Sequence, residues 1–273
     1  MPFIETRDET ELYVKMWGDG PPVVLVHGWP LNADSWDAQA LGLAEAGYTV
    51  IAYDRRGFGR SEQPWHGYDY DTFADDLADV LDAVDVEDAA IIGFSMGGGE
   101  IARYMSRHEG ARVVKAGLIG AVTPFLLQTD DHPNGAPQSV FDGMMAGVRA
   151  DRAEFMQGFL KGFFGLENNP EALSDSAVHH HWNMAMMAGL HPTLQCIAAF
   201  GTTDFRADMA AFTVPTLIVH GTADSIVPID ITARVAATMI TDATLIEYDG
   251  APHGLAATHA DRLTEDLIEF LDG

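Results

Sequence analysis

Residues 89–105 read Ala89-Ala90-Ile91-Ile92-Gly93-Phe94-Ser95-Met96-Gly97-Gly98-Gly99-Glu100-Ile101-Ala102-Arg103-Tyr104-Met105. A short apolar run gives way to a Gly-x-Ser-x-Gly pentapeptide, and Ile101, Tyr104 and Met105 then repeat at helical spacing. A serine in a sharp strand-to-helix turn projects its hydroxyl from the edge of a sheet, and the flanking glycines leave room for strand and helix to approach. This stretch therefore predicts a nucleophile elbow at Ser95, with Gly98 and Gly99 extending the permissive backbone.

Outward from the elbow, further apolar runs of strand length occur at Val23–Val26, Tyr48–Tyr53, Ala116–Ile119, Thr216–Val219 and Thr244–Tyr248. Near-continuous apolar strands of this kind are buried on both faces, as in parallel sheets. Helical patterns separate most of them. In the one from Phe73 to Val84, Phe73, Leu77, Val80, Leu81 and Val84 share a face and aspartates occupy the other. The alternation predicts an α/β fold with a mostly parallel, doubly wound sheet of about eight strands. Ahead of it, Leu12–Trp17 alternates like a strand and turns at Gly18–Pro22, which suggests a hairpin.

Between Gly120 and Thr216 about ninety residues break this rhythm, too many for an ordinary connection. They are read as a helical cap over 123–209, inserted in a core of 1–122 and 210–273. Its Phe and Met side chains, among them Phe125, Phe141, Met144, Met145, Phe155, Phe159, Phe163, Phe164, Met184, Met186 and Met187, supply both cap core and an apolar pocket. Roughly a third of them are expected to touch substrate.

A serine hydroxyl needs a base, and an acid to orient that base. In this strand–turn–helix context the chain order is Ser, Asp, His. Asp224 in His220-Gly221-Thr222-Ala223-Asp224 follows the strand Thr216–Val219, and His253 in Gly250-Ala251-Pro252-His253-Gly254 follows Thr244–Tyr248. Both lie at carboxyl ends of strands, where open α/β sheets gather their functional groups. Asp54 and Asp204 are rival acids, but Asp54 precedes Arg55-Arg56-Gly57 and is expected to hold that turn through ion pairs. His27 and His220 end strands and are read as bonding to backbone. His179-His180-His181 lacks a metal-ligand pattern, and no metal site is expected. His27-Gly28-Trp29-Pro30 follows the first parallel strand, which makes the backbone N–H groups of Trp29 and Met96 the candidate oxyanion donors; Pro30 has no N–H to offer.

The 273 residues carry 41 acidic and 15 basic side chains, a formal charge of −26. Nucleic acid and anionic membrane surfaces need clustered Lys and Arg, so neither is expected as a partner. Salt screens exposed charge over ~10 Å at 0.1 M and ~3 Å at 1 M, so the acidic surface suits either adaptation to a salty interior or a merely acidic protein of an ordinary cytoplasm. The first residues lack a basic stretch followed by an apolar one, and no apolar run is bilayer-length. A cytoplasmic protein is expected. The single cysteine, Cys196, lies in an apolar run and is read as buried filler.

The residues His27-Gly28-Trp29-Pro30, Tyr53-Asp54-Arg55-Arg56-Gly57-Phe58-Gly59-Arg60-Ser61, Tyr68–Phe73, Gly93–Glu100, Thr203-Asp204-Phe205-Arg206 and Ala251-Pro252-His253-Gly254 together resemble the bacterial aryl esterases, perhydrolases and cofactor-free haloperoxidases of the α/β-hydrolase superfamily, over nearly the whole chain. The resemblance implies a cofactor-free serine carboxylesterase for small acyl or aryl esters. It also implies acyl transfer to hydrogen peroxide, with halide oxidation by the released peracid. Ser95, Asp224 and His253 would be catalytic, and Trp29, Pro30, Phe94, Val122, Phe125, Phe141, Phe159, Phe163, Ile226, Val227 and Leu255 substrate-binding. Proline beside the oxyanion aromatic is associated in that family with perhydrolysis, and relatives form homo-oligomers, here a dimer, trimer or hexamer. A lactamase or amidase acting on small cyclic amides, and a non-catalytic ligand-binding member, are the alternatives; epoxide hydrolases and dehalogenases use aspartate where Ser95 stands.

Overall fold

The computed structural model describes residues 2–273. Its centre is an eight-stranded sheet in the order β1-β2-β4-β3-β5-β6-β7-β8. The strands are β1 (Phe3–Glu5), β2 (Glu11–Trp17), β3 (Pro22–Val26), β4 (Thr49–Tyr53), β5 (Ala89–Phe94), β6 (Val113–Ile119), β7 (Thr216–Gly221) and β8 (Ala243–Tyr248). The first two are antiparallel additions, and every pairing from β4 to β8 is parallel. All six apolar runs read as parallel strands are strands of this sheet.

Alternation along the strands sends side chains to two cores. Val24, Val26, Ile91 and Ile218 face α2 (Tyr70–Ala83), α3 (Met96–Arg107) and α7 (Ala233–Met239) on one side. Val23, Leu25, Ile92 and Leu217 face α1 (Asp37–Glu45), α8 (Leu255–Thr258) and α9 (Ala260–Asp272) on the other. Both faces of each parallel strand are thereby covered, as their unbroken hydrophobicity requires. Among the described residues no helix is long and apolar enough to cross a membrane.

Two expectations are corrected. The turn at Gly18–Pro22 does not close a hairpin, because β4 lies between β2 and β3: it pairs antiparallel with β2 and parallel with β3. The amino-terminal hairpin is instead β1 with β2. Asp76 does not belong to the solvated face of α2. It is buried and takes paired hydrogen bonds from Arg56 Nε and Nη2, each 2.6 Å, so a buried cation determines its position. Cys196 is fully buried, and burial pushes its thiol up to about 12.

The helices α4 (Gln138–Phe163), α5 (Asp175–Met187) and α6 (Leu190–Thr202) all fall between β6 and β7. Asp151 interrupts α4 with extended backbone angles, and its Oδ1 accepts the N–H of Glu154 at 3.0 Å, capping the second half. The two halves of α4 therefore present different helical phases to the sheet below.

Candidate active site

Ser95 stands between β5 and α3 with φ 54° and ψ −117°, a conformation that non-glycine residues rarely adopt. The turn is held by Ser95 N–H donating to Ile119 O at 2.8 Å and by Ser95 O accepting from Gly98 and Val122. A Cβ at Gly97 would lie 2.5 Å from Val26 O, so only glycine lets the helix approach β3 so closely. A Cβ at Gly28 would likewise meet the Phe94 ring at 2.8 Å and Ser95 Cβ at 3.0 Å, which keeps the His27–Pro30 loop against the serine.

Ser95, His253 and Asp224 come together across three strand ends. The Ser95 hydroxyl is 2.9 Å from His253 Nε2, and His253 Nδ1 is 2.6 Å from Asp224 Oδ2. A carboxylate only accepts, so the Nδ1 proton points to Asp224 and Nε2 is left to receive the serine proton. Asp224 Oδ1 accepts backbone N–H groups from Ile226 at 2.9 Å and Val227 at 2.8 Å. Burial alone would raise the Asp224 pKa. The charge of a protonated His253 and hydrogen bonds from His220 and His253 override that and hold it well below the usual carboxylate range.

Aromatic rings clasp the imidazole of His253. Phe94 lies at 5.2 Å between centroids and Phe163 at 4.9 Å, edge-on. The N–H after the histidine, on Gly254, donates to Phe163 O at 2.7 Å, so the end of α4 is tied to the histidine loop.

The oxyanion candidates stand at the required positions: Trp29 in the loop after β3, and Met96 as the first residue of α3. Neither backbone N–H donates to a protein acceptor among the described residues. The Trp29–Pro30 peptide is cis. The rival acids are committed elsewhere. Asp54 accepts Ala33 N–H at 2.8 Å and is paired with Arg60 at 2.7 Å, and Asp204 is paired with Arg206 at 2.5 Å. His27 bonds backbone on both sides, to Gly28 O and from Arg55 N–H.

Ser95 and His253 open into a narrow cavity lined by Trp29, Val122, Leu126, Ala136, Val140, Phe141, Met144, Phe159, Phe200, Ile226, Val227 and Pro228. None of these side chains is charged. Trp29 meets Phe159 at 5.1 Å and Phe200 at 5.6 Å, forming an aromatic wall.

Of the sequence-derived pocket residues, Trp29, Val122, Phe141, Phe159, Ile226 and Val227 line this cavity. Five do not. Pro30 is buried behind Trp29, and Leu255 lies in the core beneath α8. Phe94 and Phe163 pack on His253 from outside the cavity. Phe125 faces His132 and the Arg206 guanidinium. Met144, named among the cap side chains, also lines it, whereas Leu126, Ala136, Val140, Phe200 and Pro228 were not legible as lining. Nor was a second histidine on the acid: His220 bonds Val227 O, as a strand-end histidine would, but its Nε2 is also 3.2 Å from Asp224 Oδ2. The spacing His220-x-x-x-Asp224 is the only signal of it in the sequence.

Residues 21–260 match the family described as alpha/beta hydrolase fold. The chain is 43% identical to a non-heme chloroperoxidase of Kitasatospora aureofaciens over the full length of both. It is 38% identical to a bifunctional esterase/perhydrolase of Acinetobacter calcoaceticus, covering 99% of each. Among solved structures, a bromoperoxidase from Bacillus anthracis superposes with a TM-score of 0.94 at 44% identity, covering 97% of this chain and 96% of that one.

Proposed function

The chain belongs to the alpha/beta hydrolase fold family, and on that premise we propose that it is a serine carboxylesterase for small, uncharged acyl or aryl esters that also transfers acyl groups to hydrogen peroxide. The observation that carries this reading is the unbroken hydrogen-bonded line Asp224–His253–Ser95 ending at an apolar cavity.

In this mechanism Ser95 Oγ attacks the ester carbonyl as His253 Nε2 takes its proton, while the Trp29 and Met96 N–H groups receive the oxyanion. Collapse expels the alcohol with the proton from His253 and leaves an acyl-Ser95. Water, deprotonated by His253, then attacks the acyl carbon, the carboxylic acid departs, and Ser95 regains its proton. Hydrogen peroxide in place of water gives a peracid by the same bond changes. The peracid can oxidise a halide in solution, itself reduced to the acid. The relatives named as a chloroperoxidase and as an esterase/perhydrolase support this pairing of activities.

An aromatic wall and a lining without charged side chains favour neutral, aromatic or branched substrates over anionic ones, because a buried carboxylate without a partner is costly. The test is hydrolysis of short-chain p-nitrophenyl esters by wild type and Ser95→Ala, with peroxide and bromide in a parallel wild-type assay. Serine-dependent hydrolysis with peracid formation is expected. A folded wild type with no Ser95-dependent turnover overturns the reading.

A further inference from the structure

His220, the penultimate residue of β7, is fully buried, and its ring lies beside the acid rather than beside the substrate. Its Nε2 is 2.8 Å from Val227 O and 3.2 Å from Asp224 Oδ2. A carbonyl and a carboxylate only accept, so the proton must be on Nε2, directed at Val227 O with its positive end beside the carboxylate. The other nitrogen, Nδ1, is buried with no hydrogen-bond partner among the described residues. A second proton there would be a buried cationic N–H with no acceptor, an unfavourable state, so the ring is held as the neutral Nε2–H tautomer.

The same two oxygens show what this bond does. The Asp224 carboxylate accepts three hydrogen bonds, from Ile226 and Val227 N–H on Oδ1 and from the His253 imidazole on Oδ2, and the His220 Nε2–H, bonded to Val227 O, lies beside Oδ2 at 3.2 Å. His220 also grips Val227 O while Val227 N–H grips Asp224, so the ring closes the loop 224–227 on itself. Ile226 and Val227, in that loop, line the cavity.

We propose that His220 is a positioning residue, a second imidazole that fixes the Asp224 carboxylate and the Ile226–Val227 wall as one unit. This rests on the hydrolase reading above. It acts through Asp224: by taking part of the negative charge on Oδ2 it limits how strongly Asp224 stabilises protonated His253. Removing the donor should move the acidic limb of the activity profile to higher pH. The titratable groups facing His220 are Asp224 and His253 on the site side, and Glu247, its register partner on β8, which is itself bound to Arg234.

The experiment compares His220→Leu, which removes the donor, with His220→Gln, whose amide nitrogen can restore it, by pH profiles of kcat/KM and by the low-field proton resonance of His253 Nδ1–H. The Leu variant should move the acidic limb of the profile up by about half to one pH unit and lower kcat by about tenfold, with the Gln variant near wild type. A Leu variant that loses thermal stability but keeps the wild-type limb and resonance would assign His220 to folding alone and overturn the proposal. Should the Leu variant not fold, nitrogen NMR of wild-type His220 decides. A protonated Nε2 and bare Nδ1 at neutral pH is expected, and the opposite tautomer overturns it. That measurement does not depend on turnover, so its outcome stands apart from any failure of the esterase assay.

Discussion

The indole Nε1–H of Trp29 donates to the backbone carbonyl of Thr193, 3.2 Å away. Trp29 carries one candidate oxyanion donor, and Thr193 lies on α6, in the helical segment between β6 and β7. The wall of the substrate cavity and the loop that would stabilise the transition state are thus joined by one side chain, and Phe159 and Phe200 pack on the same ring.

Replacing Trp29 with Phe keeps the backbone N–H but removes the bond to Thr193. A buried hydrogen bond contributes about 1 kcal/mol, and the smaller ring leaves space beside Phe159 and Phe200. Calorimetry should show Tm lower by about 2 to 4 °C. Ester kinetics should show KM raised more than kcat is lowered, whereas a variant hit mainly in kcat would mean that the oxyanion N–H had moved.

Asp224→Asn keeps the size of the side chain but removes the charge facing His253. It allows the imidazole to adopt the wrong tautomer, and kcat for ester hydrolysis should fall on the order of 10⁴. A loss below tenfold would show that another group orients His253.

Pro30 does not touch the cavity, so any effect it has on the acyl acceptor passes through the Trp29 carbonyl, whose direction the fixed φ of proline helps to set. Peroxide attacking the acyl-enzyme can donate a hydrogen bond to that carbonyl. Pro30→Leu should lower the ratio of perhydrolysis to hydrolysis in assays run on one substrate; an unchanged ratio removes this role.

Two buried histidines set the acid side of stability. Burial pushes the pKa of His27 well below its usual value, helped by the Arg55 charge, and burial also lowers that of His181. The unfolded chain binds a proton at each site near pH 6.5 while the folded chain does not. Their contribution is complete above about pH 6.5 and is lost as pH falls from there toward the folded values. The bonds around Asp224 persist to lower pH, because its folded pKa is also depressed. Denaturant titrations should show stability falling from pH 7 to 5, and the NMR signals of His27 should remain those of a neutral ring further down in pH than those of an exposed histidine.

Most of the few basic side chains are already paired with acids, as Arg7 is with Asp79 and Arg234 with Glu247. The surplus behind the −26 charge therefore has little internal compensation. Tm should rise as salt increases from 0.1 to 1 M, where the screening length drops to about 3 Å. A flat or falling Tm would count against adaptation to salt.

The convergence of Ser95, Asp224 and His253 was legible because each is tied to a strand end, and strand ends were marked by unbroken apolar runs. The cavity was harder to read. Phe141 and Met144 precede the break at Asp151 and Phe159 follows it, so no single helical periodicity relates the three. Phe163, one turn beyond Phe159, points instead at the back of His253. Of the eleven aromatic and methionine side chains considered for the cap, only Phe141, Met144 and Phe159 reach the cavity. The amino-terminal hairpin was misplaced for a related reason. Adjacency in sequence favoured pairing across Gly18–Pro22, but β4 inserts between the two strands and pairs with both. The burial of Asp76 depends on Arg56, twenty residues earlier, a partner that helical periodicity does not reveal.

On the esterase reading, a chamber with no Lys or Arg in its lining is a poor resting place for the acid that ester cleavage would leave behind. Carboxylic acids of ordinary pKa, about 4 to 5, ionise once they meet neutral water, and re-entry would mean shedding that water with no counter-charge inside. The lining would thus act as a one-way filter: an uncharged ester would partition in, its ionised product would be shut out, and accumulating product would have little hold on the protein.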